Sequence, residues 1–263
     1  MRIKKIISAC CMICLLVMNT LSVANAAGND ILTFTQTEYE AILYNYNSEP
    51  YSLESETKLN ENLKKLEDHV IKMNEKSNEE LEYLGYTDDQ IYAIRNYDGS
   101  SEMLNRASAT VTGSVWVSNR TYENNKTRVT IICDGKKNGS FVLNFQDNLA
   151  LSLLGSGANF FPSSSHMTVR YADGHTVNAT ATENDSGVVF RFGIPQMTSF
   201  SASYTGVADG DVRVIRYGAA YGHNTVSISI DGISIDTSLT VGISFSFKNK
   251  CDKIFEHKYT KEF

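Results

Sequence analysis

Five histidines are the natural place to look for acid–base chemistry in this chain of 263 residues. Asp173 and His175 stand two apart beside an Asp-Gly pair, and Ser163, Ser164, Ser165 and His166 lie just upstream. A serine, an imidazole and a carboxylate can drive nucleophilic hydrolysis together. That chemistry needs the serine on a sharp exposed turn, with a base and oxyanion donors in reach. The chain has no G-x-S-x-G elbow, so the stretch reads as a polar loop and no catalytic residue is assigned.

Metal chemistry finds equally little. His69 follows Glu67-Asp68, but H-E-x-x-H is absent, and neither Cys133 nor Cys251 belongs to a C-x-x-C pair. Asp209-Gly210-Asp211 and the stretch from Asp231 to Asp236 miss the spacing of a calcium loop. No metal or cofactor is therefore expected. Two acids that meet in space can hydrolyse a glycosidic bond, but the acids after residue 105 sit mostly at turn positions. Trp116, the single tryptophan, lacks aromatic company in the sequence.

Two patterns point to binding. Eight of the fourteen tyrosines precede residue 105, and tyrosine suits interfaces because its ring is buried while its hydroxyl stays wet. The alternative is tyrosines edging a small helical core. Hydroxyl and large apolar residues alternate from Thr225 to Asp231 and again from Ser238 to Phe247. Such alternation describes a half-buried hairpin. It also describes the hairpins that pore-forming proteins insert, with lipid outside and a polar lumen.

The elements that would carry these residues begin with a signal. Arg2, Lys4 and Lys5 precede an apolar run from Ile6 to Val17, and Ala24-Asn25-Ala26 gives the small-x-small pattern of a cleavage site. Residues 1–26 are expected to be removed between Ala26 and Ala27. Cys10 looks like a lipidation site, but too little hydrophobic chain precedes it. Cleavage leaves 21 bases against 30 acids, a net charge of −9, which argues against nucleic acid as a partner. It leaves Cys133 and Cys251, a candidate disulfide outside the cytosol or else two buried thiols.

Composition and rhythm both change near residue 105. From Ala27 to Asn105 there are 17 acids and 6 bases; from Arg106 there are 13 acids and 15 bases. In the first region Tyr39, Ile42, Leu43 and Tyr46 suit a helix capped near Thr37. Leu59, Leu63, Leu66, Val70 and Met73 recur at helical spacing. Ser77 with Glu80 and Thr87 with Gln90 form capping boxes, and Gly85 and Asp98-Gly99 stop the helices.

After Arg106 apolar residues alternate with period two. Strands are expected at 111–117, 129–133, 141–145, 167–171, 177–181, 188–192, 200–204, 212–217, 226–230 and 239–247, separated by Asp-Gly and Asn-Gly turns. Residues 148–161, apolar and then glycine-rich, read as a short helix and loop. The fold expected is α+β: an acidic, tyrosine-rich helical region over 27–105, then an antiparallel β-sandwich or open barrel over 106–263.

The run Leu84-Gly85-Tyr86-Thr87 to Asp98-Gly99, followed by a Ser/Thr-rich β-region with Ala220-Tyr221-Gly222-His223, resembles uncharacterised exported, signal-peptide-bearing proteins of Gram-positive bacteria. The resemblance implies secretion and transfers no activity or site residue. The functional expectation is a secreted, non-enzymatic binding protein at or beyond the cell envelope, its partner another protein or an envelope polymer. The alternatives are a membrane-active β-protein and a secreted hydrolase.

Overall fold

The chain enters its first sheet before it enters a helix. In the computed structural model, which describes residues 31–263 apart from 49, 143–145, 194–195, 225–231 and 248–250, β1 (Leu32–Thr37) leads directly into α1 (Glu38–Ser48). Thr37 caps that helix: its hydroxyl accepts from Glu40 N at 3.1 Å, and its own N–H donates to the Glu40 carboxylate at 3.1 Å. Then come α2 (Leu53–Asn74), α3 (Asn78–Tyr83), α4 (Asp88–Arg95) and α5 (Ser101–Ala107). The expected capping boxes are formed at Ser77/Glu80 and Thr87/Gln90, and a third at Ser52/Ser55. Each satisfies backbone donors that the first turn leaves unpaired, worth about 1 kcal/mol. Arg95 fastens α2 to α3. Its guanidinium donates to Asn74 O and to Asn78 Oδ1, and also to the Lys76 carbonyl.

The strands follow: β2 (Thr110–Glu123), β3 (Lys126–Asn138), β4 (Gln146–Gly155), β5 (Ala158–Asn159), β6 (Phe161–Tyr171), β7 (Thr176–Asn178) and β8 (Thr180–Asn184). After them come β9 (Gly187–Gly193), β10 (Met197–Asp209), β11 (Val214–Asn224), β12 (Ile233–Ser238), β13 (Gly242–Phe247) and β14 (Cys251–Glu262). They build an antiparallel sandwich. One sheet runs β1-β2-β3-β10-β6-β7; the other runs β14-β11-β4-β9-β8, with β5 on β4. The main core lies between them, from Phe34, Val111 and Ile131 to Leu149, Phe190 and Tyr217. A second core joins the helices around Leu66, Val70, Leu81 and Ile94. A third lies under the β12–β13 hairpin, which covers the outer face of the second sheet with Ile233, Ile235, Ile243 and Phe245.

The α+β sandwich is as expected, but several elements differ from the sequence reading. Strand β1 lies within the region read as helical. Its six residues carry two apolar side chains, too few for the pattern to declare itself. Residues 148–161, read as helix and loop, form the rest of β4, then β5 and the start of β6. Strand β4 is buried along nearly its whole length because the first sheet lies on one face and the β12–β13 hairpin on the other. Period-two alternation vanishes when both faces are dry. The stretch 177–181 breaks at Ala179, where the chain passes from β7 in one sheet to β8 in the other. Strand β14 lies beyond the last expected strand, in a charge-rich sequence whose charges mask its alternation.

Of 141–145, Phe141 and Val142 lie outside any strand, and 143–145 fall outside the described residues. The stretch 226–230 and the signal with Ala24, Ala26 and Ala27 are also outside them. The expected strand 239–247 begins with a turn at 239–241, and only 242–247 forms a strand, paired with 233–238.

The candidate disulfide is not formed. Cys133 and Cys251 are both buried and reduced. Cys133 faces the core between the sheets, whereas Cys251 lies in the core under the hairpin. Cys133 sits near Tyr259, eight residues along β14 from Cys251, roughly 25 Å of strand. A disulfide needs Cα atoms within about 7 Å.

Candidate functional site

The structure separates the residues that could have formed a serine-hydrolase constellation. Asp173 and His175 hydrogen-bond to each other in the turn after β6, where His175 stacks on Tyr171 at 4.5 Å. Ser163, Ser164 and Ser165 lie six or more residues back along β6, about 20 Å away. Ser163 accepts from Arg128 at 2.8 Å and Ser165 donates to Glu183 at 2.5 Å. His69, read as a stray histidine, lies 3.2 Å from the Tyr86 hydroxyl, and burial lowers its pKa. Asp211 is held by Arg120 and Arg213, which keep its carboxyl below the usual range. Among the described residues no three potential ligands cluster as a metal site.

A buried polar group that sequence reasoning did not assemble lies inside the sandwich. Strand pairing sets His223 opposite Asp147, and His223 Nδ1 lies 2.7 Å from Asp147 Oδ1. The Tyr221 hydroxyl donates to the other carboxylate oxygen. The His223 ring stacks on Phe141 at 4.8 Å, and the Lys137 ammonium lies 5.8 Å from the centre of the Phe141 ring. Burial pushes the Lys137 pKa down to about 8, against the pull of Asp147 and Glu38. A carboxylate orienting an imidazole is a catalytic theme. Here, however, Asp147 is fully buried and the His223 side chain only 5% exposed. In this conformation the pair ties β4 to β11, and its imidazole does not meet solvent.

Open chemistry gathers instead where the helices meet the first sheet. The register places Thr37, Thr110 and Asn138 opposite one another on β1, β2 and β3. With Thr35 they floor a groove of about 320 Å³. Its walls are Thr87, Asp89 and Gln90 from the start of α4, and Asn105 and Arg106 from α5. Every lining side chain is polar.

Thr37 donates to Asn105 Oδ1 at 2.6 Å. Gln90 accepts from Thr87 N and donates to Ser108 O, so it is used by the fold. Arg106 reaches Asp89 at 2.9 Å and lies 5.7 Å from the ring centre of Tyr92, which is 57% exposed. Tyr44, Tyr51 and Tyr83 also expose half or more of their surface, while Tyr86 is buried. The tyrosines thus divide between outward-facing rings and the edge of the helical core. Groups 37, 110 and 138 are too distant in sequence for any motif to join them. The capping box at Thr87 was the one legible signal.

No protein-family model matches the chain, and no curated protein does. Solved structures similar to part of it include the C-terminal domain of the AgI/II polypeptide BspA from Streptococcus agalactiae, at 11% identity and a TM-score of 0.29. That match covers 43% of this chain and 53% of the other. The collagen-binding domain of a Staphylococcus aureus adhesin matches at 7% identity and a TM-score of 0.30, over 52% of this chain and 88% of that one. The pilus 2b backbone protein of group B streptococcus matches at 11% and 0.30, over 57% and 79%. The match to BspA thus spans about half of that structure's length. At these scores the neighbours assign neither family nor ligand.

Of the two stretches with pore-type alternation, 225–231 lies outside the described residues and 238–247 is engaged within the fold. The apolar side of β12 and β13 faces Ala150, Leu154 and Ala220 of the second sheet, and only Leu239 and Val241 at the turn are markedly exposed. No helix among the described residues is long and apolar enough to cross a membrane.

Proposed function

We propose that this is a secreted, non-enzymatic binding protein, exported by its N-terminal signal peptide and acting at or beyond the cell envelope on a protein or an envelope polymer. The observation that carries the reading is the open polar groove between sheet and helices. Hydrogen-bonding side chains from β1, β2, β3, α4 and α5 converge there, with the exposed Tyr92 beside Arg106. The carboxylate in it, Asp89, is paired with Arg106. An arrangement of hydroxyls, amides and a neutralised ion pair offers contacts, with no group placed to attack a substrate.

The test is saturable binding of labelled, purified protein to envelope preparations, before and after protease or polysaccharide-degrading treatment. Saturable binding abolished by one of these treatments supports the reading and says which partner class applies. No saturable binding at micromolar protein, or turnover of an envelope component, overturns it.

A further inference from the structure

We infer that the groove and the outer face of the first sheet form a continuous binding track for an uncharged polysaccharide chain. The inference rests on the binding reading above and narrows its partner to one chemistry.

The track follows from the register. Side chains directly opposite one another in antiparallel strands share a face. Since Val111, Val115, Ile131 and Cys133 point into the core, their neighbours point out. Next to the groove floor comes a rung of Thr35, Thr112, Lys136, Ser199 and Arg170 across β1, β2, β3, β10 and β6. The rung after it is Thr33, Ser114, Asp134, Ser201 and Thr168. None of these ten residues is fully buried, although one carboxylate oxygen of Asp134 is. Beyond them Trp116, Ile132, Ser203 and His166 form the next rung. Trp116 and Tyr92, the latter beside Arg106 at the groove, thus stand at opposite ends of the track.

Three features select the ligand. A protein partner is usually anchored by apolar or aromatic side chains filling pockets, and the groove lining contains no apolar residue. A polyanion needs a run of unopposed cations, yet Arg106 is paired with Asp89, and the two outer rungs carry Lys136 and Arg170 against Asp134, a single net positive charge over ten residues. Most of what is left over is neutral: the Thr35 hydroxyl and the Asn138 amide have no hydrogen-bond partner among the described residues. Such groups, at a strand spacing of about 4.8 Å, suit a chain that presents hydroxyls at every unit. The rings of Tyr92 and Trp116 suit contact with the apolar side of a sugar ring.

Affinity electrophoresis of the purified protein tests this, through gels containing a neutral glucan, galactan, mannan or soluble chitin-type glycan, with hyaluronate as the anionic control. Retardation by at least one neutral polymer is expected, with little by hyaluronate. The double variant Thr35→Ala/Asn138→Ala should weaken it at least tenfold, and Tyr92→Ala comparably. Circular dichroism should show all variants folded, because these side chains serve no internal bond that a fold requires.

Retardation unchanged in folded variants overturns the site, and retardation by hyaluronate alone overturns the ligand class. No retardation by any neutral polymer, with saturable binding to envelope protein retained, ends the inference and leaves the binding reading standing. Absence of both ends the two together.

Discussion

Tyr86 lies so close to Gly139 that a β-carbon on the glycine would sit 2.8 Å from the tyrosine Cε1. Gly139 N also donates to Gly85 O at 3.1 Å, and the Tyr86 hydroxyl donates to Ser140 O at 3.4 Å. The Leu84-Gly85-Tyr86-Thr87 run is thus where the helices lock onto the end of β3. Gly139 has φ +80°, so alanine there is strained and also collides with the ring.

Gly139→Ala should cost about 1–3 kcal/mol, read as a lower urea midpoint with unchanged slope. In a Tyr86→Ala background the same change should cost less, because only the backbone strain is left. Equal costs in both backgrounds would show that ring and glycine are not coupled.

The helix ends were readable because capping is local: a serine or threonine and a glutamate or glutamine three residues later meet within one turn. The one-sided strands were readable because alternation records a wet face and a dry one. Strand β4 was not, since Asp147 to Gly155 is dry on both faces and its sequence resembles any buried segment. The groove was hidden for another reason. Thr37, Thr110 and Asn138 become neighbours only through strand pairing, and each alone is an ordinary turn or strand residue. His223 and Asp147 meet in the same way.

Lys137 makes stability depend on alkaline pH. Its pKa falls from an ordinary 10.5 to about 8, chiefly through burial. Between those values the unfolded chain holds the proton and the folded chain does not, so this residue's contribution to stability rises with pH across that window. Its penalty is fully present below pH 8 and gone above 10.5. Tyr86 and Tyr221, whose hydroxyls are raised chiefly by burial, act oppositely above pH 10, so a difference must be measured. The unfolding free energy of wild type minus that of Lys137→Met should rise by about 3 kcal/mol from pH 8 to 10.5. A flat difference would mean that Lys137 keeps its solvent.

The two thiols should report burial without a bond. Burial raises the Cys133 pKa, which suppresses the reactive thiolate, and Cys251 is buried under the hairpin. Protein beginning at Ala27 should react slowly with an aromatic disulfide reagent when native, and release two equivalents per chain in denaturant. Its mass should not change on reduction. A gain of two mass units would establish the Cys133–Cys251 bond, and with it a different arrangement of β14.

The β12–β13 hairpin should come away before the sandwich fails. Its contacts form a core of their own: Ile235 and Phe245 pack on Ala150, Leu154 and Ala220, and no hairpin residue belongs to the core between the two sheets. Phe245 also fills the space over Gly218, where a β-carbon would stand 2.9 Å from its ring. Placing a carboxylate there removes the apolar contact and leaves a charge without a partner in a dry layer. Phe245→Glu should therefore open the 239–241 turn to limited proteolysis and raise binding of a hydrophobic dye, while the near-ultraviolet dichroism of Tyr204, Tyr217 and Tyr221 persists. Loss of that signal together with the cleavage would show that the hairpin and the sandwich fold as one unit.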